Sequence, residues 1–92
     1  IRDFKDKLTE QLFRTSNVRG FPPDVTERAR RKLMAIHAAH VLSDLRVPPS
    51  NRLEALKGNR EGQHSIRIND QWRICFRWAN GDAFDVEVCD YH

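Results

Sequence analysis

Cysteine is scarce in this 92-residue sequence, which contains only Cys75 and Cys89. One isolated pair provides neither a disulfide framework nor a zinc knuckle, and no Cys-x-x-Cys spacing is present. His-x-x-x-His and Asp-x-Asp spacings with a third ligand are missing as well. These absences predict a reduced chain, located in the cytoplasm, with no bound metal and no other cofactor.

Long hydrophobic runs, internal repeats and low-complexity tracts are also absent. No segment approaches the about 20 apolar residues of a membrane span, and the opening residues Ile1-Arg2-Asp3-Phe4 lack the apolar stretch of a signal peptide. We therefore expect no membrane contact. A chain of this length has apolar surface for one core, which predicts a single domain over residues 1–92.

Positive charge is in only small excess. The sequence has 16 Lys and Arg residues and 13 Asp and Glu residues, which gives a net charge of +3. Such a balance is compatible with nucleic acid as a partner but does not establish it. The position of the cations in the fold must decide.

Two helices are predicted in the first half of the chain, over residues 6–14 and from residue 24 to about residue 40. Asp24 followed three residues later by Glu27 has the spacing of an N-cap and its N3 partner, and Ser43 is a candidate cap for one further turn. The apolar stripes of the two helices comprise Leu8, Leu12, Phe13, Val25, Ala29, Leu33 and Ile36. The outer face of the second helix carries Arg28, Arg30, Arg31 and Lys32, either as a solvated face or as a surface for RNA or a protein partner.

From Arg52 onward apolar and polar residues alternate, which predicts the strands of a half-buried antiparallel sheet. Ile1–Phe4 is a possible additional strand. The economical arrangement is an α+β fold in which two or three N-terminal helices pack on one face of a small antiparallel sheet and leave the other face open. The residues with core-side parity are Ile66, Ile68, Trp72, Ile74, Phe76, Trp78, Phe84, Val86 and Val88.

The last hairpin has two possible registers. Residues that oppose one another point to the same face of a sheet, and a two-residue Asn80-Gly81 turn would mix polar and apolar residues on both faces. We therefore predict a three-residue loop, Ala79-Asn80-Gly81, with Gly81 in the left-handed conformation. The pairs that follow are Phe76 with Phe84, Ile74 with Val86, and Arg73 with Glu87.

The preceding hairpin, with its loop at Asn69-Asp70-Gln71, is predicted to place Arg67 directly opposite Arg73. Opposed like charges destabilise a sheet by up to about 1 kcal/mol. Two interpretations stay open. The two guanidinium groups bind an anion, or Glu87 beside Arg73 forms a simple Arg–Glu ladder.

Other polar groups are expected on the same open face. The loop of residues 56–62 carries Lys57 close to Glu54 of the preceding strand. The chain ends at the edge of the sheet with Asp90-Tyr91-His92, and Tyr91 continues the open-face parity of Glu87 and Cys89. A histidine, a phenol, a carboxylate and several cations suit RNA cleavage without a metal, in which a base activates the ribose 2′-hydroxyl and an acid protonates the leaving 5′-oxygen. RNA is favoured because DNA lacks this hydroxyl.

Three segments are informative together: residues 51–58 (NRLEALKG), residues 64–76 (HSIRINDQWRICF) and the terminal residues 90–92 (DYH). They resemble the corresponding segments of HigB-type toxins of the RelE/ParE superfamily. The resemblance implies a toxin of a type II toxin–antitoxin system that enters the A site of the 70S ribosome and cleaves messenger RNA. It also implies a helix-turn-helix antitoxin of the HigA type, with operator DNA bound only through the toxin–antitoxin complex.

Carried over to this sequence, the resemblance implies that Lys57 and Arg73 contact the phosphate and its transition state. It also implies that Asp90, Tyr91 and His92 form a C-terminal catalytic group. Some members of the family have a histidine at the position of Glu54. In this chain Glu54 is therefore either a base or an ion-pair partner of Lys57. The expected RNA-binding residues are Glu54, Arg60, Arg67 and Arg77.

Two other functions stay open. ParE-like toxins share the fold but bind DNA gyrase and cut no RNA, and the combination of Lys57, Arg67, Arg73 and the terminal Tyr-His on one face favours the nuclease over them. The basic face of the second helix would suit a non-catalytic nucleic-acid-binding module.

Overall fold

The computed structural model describes residues 1–15 and 19–90, and there two α-helices precede a four-stranded antiparallel sheet of strand order β1-β2-β3-β4. The helices are α1 (Lys7–Arg14) and α2 (Pro23–Ala38), and the strands are β1 (Glu54–Ala55), β2 (His64–Arg67), β3 (Trp72–Ala79) and β4 (Asp82–Asp90). The helices pack on one face of the sheet, which confirms the predicted α+β fold. In the described part of the chain, no helix has the length and apolar character needed to cross a membrane.

The helix starts agree only in part with the sequence prediction. Helix α1 is capped by Asp6, whose carboxylate accepts a hydrogen bond from the Thr9 N–H at 2.6 Å. Helix α2 begins one residue before the predicted cap, at Pro23, and the residue before it makes no side-chain capping bond. The prediction of Asp24 as N-cap is therefore wrong. Proline has the φ of a first helical residue, and Asp24 instead lies in the first turn, where its charge suits the helix dipole.

A 3₁₀ helix, Leu42–Arg46, follows α2, and its cap differs from the prediction as well. The carboxylate of Asp44, rather than the hydroxyl of Ser43, accepts hydrogen bonds from the N–H groups of His40 and Val41, at 2.9 and 3.2 Å. These two bonds lower the pKa of the Asp44 carboxyl below its usual value because they favour the charged form.

The core lies between the helices and the inner face of the sheet. Burial of these apolar side chains is the main favourable term that offsets the entropy of ordering a chain this small. Trp72 and Trp78, predicted as core residues, are half-buried and pack against this cluster. Its buried members are Leu12, Val25, Ala29, Leu33, Ile36, Leu45, Ile66, Ile68, Ile74, Phe76, Ala83, Val86 and Val88.

The β3–β4 hairpin has the turn that the sequence argument rejected. Ala79 pairs with Asp82, so the turn is the two-residue Asn80-Gly81, and both residues have left-handed φ values, 53° and 81°. These angles fit a type I′ turn, whose twist matches that of the flanking strands. The three-residue loop and the strand pairs derived from it are therefore wrong.

A β-bulge in β4 explains how the two-residue turn is tolerated. Arg77 pairs with Phe84 and Cys75 pairs with Glu87, so β4 has one residue more than β3 across this interval. Asp85, with a φ of 52°, is the left-handed residue of this bulge. The extra residue restores the parity of Val86, which is buried in the core. Phe84 lies before the bulge and faces the same side as Arg77, so its predicted core position is wrong.

The β2–β3 register is as predicted. Ile66 pairs with Ile74, and Arg67 pairs with Arg73. The odd-numbered residues of these strands therefore share the face that points away from the helices.

The N-terminal residues and α1 cover the free edge of β4. The predicted additional strand is only a single parallel bridge, Phe4 to Val86, supported by a hydrogen bond of 2.9 Å from the Lys5 N–H to the Val86 carbonyl. Further along, the Val88 N–H donates to the hydroxyl of Thr9, which is fully buried, at 3.1 Å. Covered edges of this kind protect a sheet against pairing with other chains.

We predict that Thr9→Val destabilises the protein by about 1–3 kcal/mol, because the isosteric side chain leaves the buried Val88 N–H without its acceptor. Urea denaturation followed by far-UV circular dichroism measures the change. Thr15→Val, at an exposed threonine just after α1, is the matched control and should stay within about 0.5 kcal/mol of the wild type. Equal stability of the two variants would contradict the role given to Thr9.

A second prediction concerns acid stability. The pKa of Asp44 is lower in the folded state, so its contribution is present above the unfolded value of about 3.9 and is lost as pH falls through the folded value. Asp44→Ala should therefore be less stable than the wild type at pH 7, and the difference should shrink below about pH 4. Ser43→Ala should match the wild type throughout. Urea titrations at pH 3, 4 and 7 test both expectations, and a difference that grows on acidification would refute the first.

Candidate functional site

The predicted site residues lie on the sheet face opposite the helices, called here the outer face. Strands β2, β3 and β4 all contribute to it, because parity directs alternate side chains of each strand to this side. Its members on the three strands are Ser65, Arg67, Arg73, Cys75, Arg77, Phe84, Glu87 and Cys89.

Arg73 is fixed at the β2 side of this face. Its Nε donates to the Ser65 hydroxyl at 2.8 Å and its Nη2 donates to the Arg52 carbonyl at 2.9 Å, while Glu54 Oε1 lies 3.4 Å from the same Nη2. The Arg73 side chain is only 12% exposed. Arg52 has a left-handed φ of 45°, which belongs to the turn that leads into β1. The guanidinium group is thus oriented by groups on two segments, β2 and the stretch from Arg52 into β1.

Arg67 and Arg73 face each other across the β2–β3 ladder, as predicted, and each has a carboxylate neighbour. Arg67 forms an ion pair with Asp70 from the adjoining turn, and Arg73 has Glu54. The ladder between Arg73 and Glu87 is wrong, because Arg73 pairs with Cys89, and Glu87, two residues before Cys89, pairs with Cys75. Two different carboxylates therefore offset the opposed like charges.

The outer face is not open along its whole width, which corrects the sequence expectation. The β1–β2 connection folds back over it, and Leu56 packs against the buried Cys75 and Cys89 in a small second apolar cluster. Arg60, from the 3₁₀ helix Gly58–Arg60 in this connection, donates to Glu87 of β4 at 2.7 Å. The connection therefore reaches across β2 and β3 to the far strand.

The other two predicted RNA-binding arginines are not part of the Arg73 cluster. Arg60 also donates to Gln63 Oε1 at 3.1 Å, and the hydrogen bond to Glu87 raises the pKa of Arg60. Arg77 forms an ion pair with Asp85 at 3.4 Å. Arg77 lies four residues along β3 from Arg73, a separation of about 13 Å. The outer face thus carries Arg67 and Arg73 at one end and Arg77 further along β3.

Lys57 and Glu54, predicted close to one another, lie on either side of the end of β1. Glu54 is on β1 itself, and Lys57 is an exposed residue directly before the 3₁₀ helix Gly58–Arg60. The structure places Glu54 beside Arg73, and Lys57 directly follows Leu56, the residue of the connection that packs on the outer face.

The C-terminal predictions are described only in part. Asp90 is the last residue of β4, pairs with Trp72, and accepts a hydrogen bond from the Gln71 side-chain amide at 3.2 Å. Tyr91 and His92 lie outside the described residues. In residues 1–15 and 19–90, no group of three or more His, Cys, Asp or Glu side chains is arranged to hold a metal ion.

The two cysteines of the outer face are free thiols beside each other and beneath the covering loop. A hydrogen bond with Cys75, together with burial, raises the pKa of the Cys89 thiol. Cys89 therefore remains protonated and acts as an apolar packing group rather than a nucleophile.

Three groups that position the site were not found from the sequence. The Ser65 hydroxyl and the Arg52 carbonyl hold Arg73, and Glu87 holds Arg60. Strand parity placed Ser65 on the correct face, but a serine among charged residues gave no specific signal. The backbone carbonyl has no sequence signal at all.

Comparison with known proteins agrees with the fold and the predicted family. Residues 2–92 match the HigB-like toxin family model, described as "RelE-like toxin of type II toxin-antitoxin system HigB". The chain is 44% identical over 85 residues to "Toxin HigB-1" of Vibrio cholerae, which covers 91% of this chain and 90% of that protein. It is 37% identical over 92 residues to "Endoribonuclease HigB" of Proteus vulgaris, which covers 100% of this chain and 99% of that protein.

These matches extend over nearly the whole of both relatives, and the family model and the match to the Proteus vulgaris protein include the segments that carried the resemblance in the sequence. The family prediction is thereby confirmed, and with it the expectation of an antitoxin partner. The chain belongs to the HigB-like toxin family, the RelE-like toxins of type II toxin–antitoxin systems.

Proposed function

We propose that this toxin is an endoribonuclease that cuts messenger RNA on the ribosome without a metal ion. The observation that supports this most is the Arg73 guanidinium, which is held by the Ser65 hydroxyl and the Arg52 carbonyl directly opposite Arg67. Two cations at fixed positions on one face form a receptor for a phosphate group. The printed name of the Proteus vulgaris relative, an endoribonuclease, agrees with this proposal.

The proposed reaction uses the 2′-hydroxyl of the RNA as the nucleophile. A base removes its proton, the oxygen attacks the adjacent phosphorus, and the 5′-oxygen leaves after an acid protonates it, which gives a 2′,3′-cyclic phosphate. Arg73 and Lys57 stabilise the additional negative charge of the pentacoordinate phosphate, as preorganised cations do most effectively. Asp90, Tyr91 and His92 supply the acid and the base, with Glu54 as a second candidate for the base.

The partners follow from the same proposal. Arg67, placed opposite Arg73, contacts a neighbouring phosphate, and the ribosome orients the message so that the 2′-hydroxyl lies in line with the leaving oxygen. The antitoxin is proposed to be of the helix-turn-helix HigA type and to bind operator DNA together with the toxin. The site of action is the cytoplasm, where translating ribosomes are found.

We predict that the wild-type toxin cuts a defined messenger RNA on programmed ribosomes, equally with and without EDTA. Arg73→Ala should slow cleavage at least about a hundredfold, because it removes an oriented cation from the transition state. A chain truncated before Tyr91 should be similarly impaired. Arg14→Ala, an exposed arginine paired with Glu10 on α1, is the control and should cleave at the wild-type rate.

Two outcomes would contradict the proposal. Loss of cleavage in EDTA, restored by a divalent ion, would exclude the metal-independent reaction. Absence of cuts at any codon, combined with inhibition of DNA supercoiling by purified gyrase, would assign the chain the activity of the ParE-like toxins instead.

Ser65 gives a more specific prediction about the orientation of Arg73. Ser65→Ala removes the acceptor at 2.8 Å and should lower the cleavage rate about tenfold, with little change in the toxin concentration that half-saturates the ribosome. Ser65→Thr keeps the hydroxyl on a side chain suited to a strand and should retain most of the activity. Single-turnover kinetics at saturating toxin measures both variants. Equal rates for the two variants would show that the hydroxyl does not orient Arg73.

A further inference from the structure

The connection between β1 and β2 is a closed loop attached to the outer face at one charged contact. The Leu56 N–H donates to the Gln63 carbonyl at 2.9 Å, which closes the loop at its base. Gly58 and Gly62 have φ values of 65° and 91°, in the left-handed region that glycine adopts at low cost. Between these two glycines, Arg60 is the residue that reaches across the sheet.

The contact between Arg60 and Glu87 spans a considerable distance. Arg60 leaves the loop before β2, and Glu87 lies on β4, which is two strand spacings from β2, or about 10 Å. The two side chains meet at 2.7 Å, and Lys5 from the N-terminal segment approaches the same carboxylate at 3.7 Å. Three separate segments of the chain therefore meet at Glu87.

Glu87 is mostly buried, so its negative charge requires neighbouring cations or hydrogen-bond donors. Its side chain is 16% exposed, and it faces Cys75 directly across the β3–β4 ladder. Burial raises the pKa of this carboxyl, but the hydrogen bonds from Arg60 and Cys89 and the charge of Lys5 lower it by more, so the net direction is downward. Glu87 is therefore ionised at neutral pH, as its ion pair with Arg60 requires.

We propose that Glu87 is a positioning residue for RNA cleavage, because it holds Arg60 and thereby fixes the loop that carries Lys57. Lys57 and Arg60 belong to one turn, since the Arg60 N–H donates to the Lys57 carbonyl at 3.3 Å. Fixing the side chain of Arg60 thus fixes the backbone of Lys57. This inference rests on the proposed nuclease function, in which Lys57 contacts the scissile phosphate.

Glu87→Gln tests this inference because it keeps the size of the side chain and removes its charge. The matched control is Glu61→Gln, the same substitution at an exposed position of the same loop. Arg60→Met keeps a long side chain but removes the charge and the donors, so it breaks the contact independently if Glu87→Gln fails to fold. Each variant is examined by amide hydrogen exchange of residues 57–62 in the free toxin and by single-turnover cleavage on programmed ribosomes.

The expected result for Glu87→Gln is faster exchange in residues 57–62, by about tenfold or more, and a cleavage rate lower by about tenfold to a hundredfold. The half-saturating toxin concentration should stay within about twofold, because the substitution removes none of the cations that attract RNA. Glu61→Gln should match the wild type in both measurements. In a Lys57→Ala background, Glu87→Gln should cause no further loss of cleavage, because its effect acts through Lys57.

The two measurements distinguish the possible failures. Unchanged exchange in Glu87→Gln would overturn the anchoring of the loop. Faster exchange with unchanged cleavage, or an additive loss in the Lys57→Ala background, would overturn its role in the reaction. A wild-type toxin that cuts no RNA would refute the proposed function itself and with it the positioning role, and the exchange measurement would still decide whether Glu87 holds the loop.

Discussion

The extra residue in β4 determines which side chains face the core and which face the loop. Without the bulge at Asp85, the two-residue turn at Asn80-Gly81 would direct Val86 and Val88 away from the helices and place Glu87 in the core. With it, the apolar residues of β4 after the bulge pack on α1 and α2, and Glu87 and Cys89 reach the outer face. The backbone of Asp85 is held in this conformation by its N–H, which donates to the Asp3 carboxylate at 2.5 Å. The core, the loop anchor and the thiol pair all depend on this one irregularity.

The sequence predicted the fold class, the β2–β3 register and the opposition of Arg67 and Arg73, because parity alone determines them once the loop at Asn69-Asp70-Gln71 is assigned. It failed for β3–β4 because parity cannot distinguish an odd loop from an even turn followed by a bulge. Both keep Val86 on the core face. They differ in the faces of Asp82, Ala83 and Phe84 and in the partner of each β3 residue, and Asp85 in a left-handed conformation has no strong sequence signal.

The positions of the site residues could be predicted where they depend on the alternation of side chains along a strand. They could not be predicted where they depend on contacts between residues that are distant in sequence. Arg73 was identified from its position opposite a second arginine, but its anchors are the hydroxyl of Ser65 and the carbonyl of Arg52, 21 residues earlier in the chain. The sequence predicted Arg60 as an RNA-binding cation of a polar loop. Its hydrogen bond to Glu87, 27 residues later, requires the loop to fold over the sheet, and no local sequence pattern indicates such a fold.

Ion pairing divides the cations of the outer face into two groups. Arg67 and Arg73 pair with Asp70 and Glu54, whose side chains are 97% and 50% exposed, so each carboxylate is hydrated when a phosphate group takes its place. Arg60 pairs with Glu87, which is mostly buried, and removing Arg60 would leave this carboxylate with the more distant Lys5 as its neighbouring cation. The net charge of the chain does not reveal this difference. The exposure of each carboxylate partner does, and it separates the arginines whose partners are exposed from the one whose partner is mostly buried.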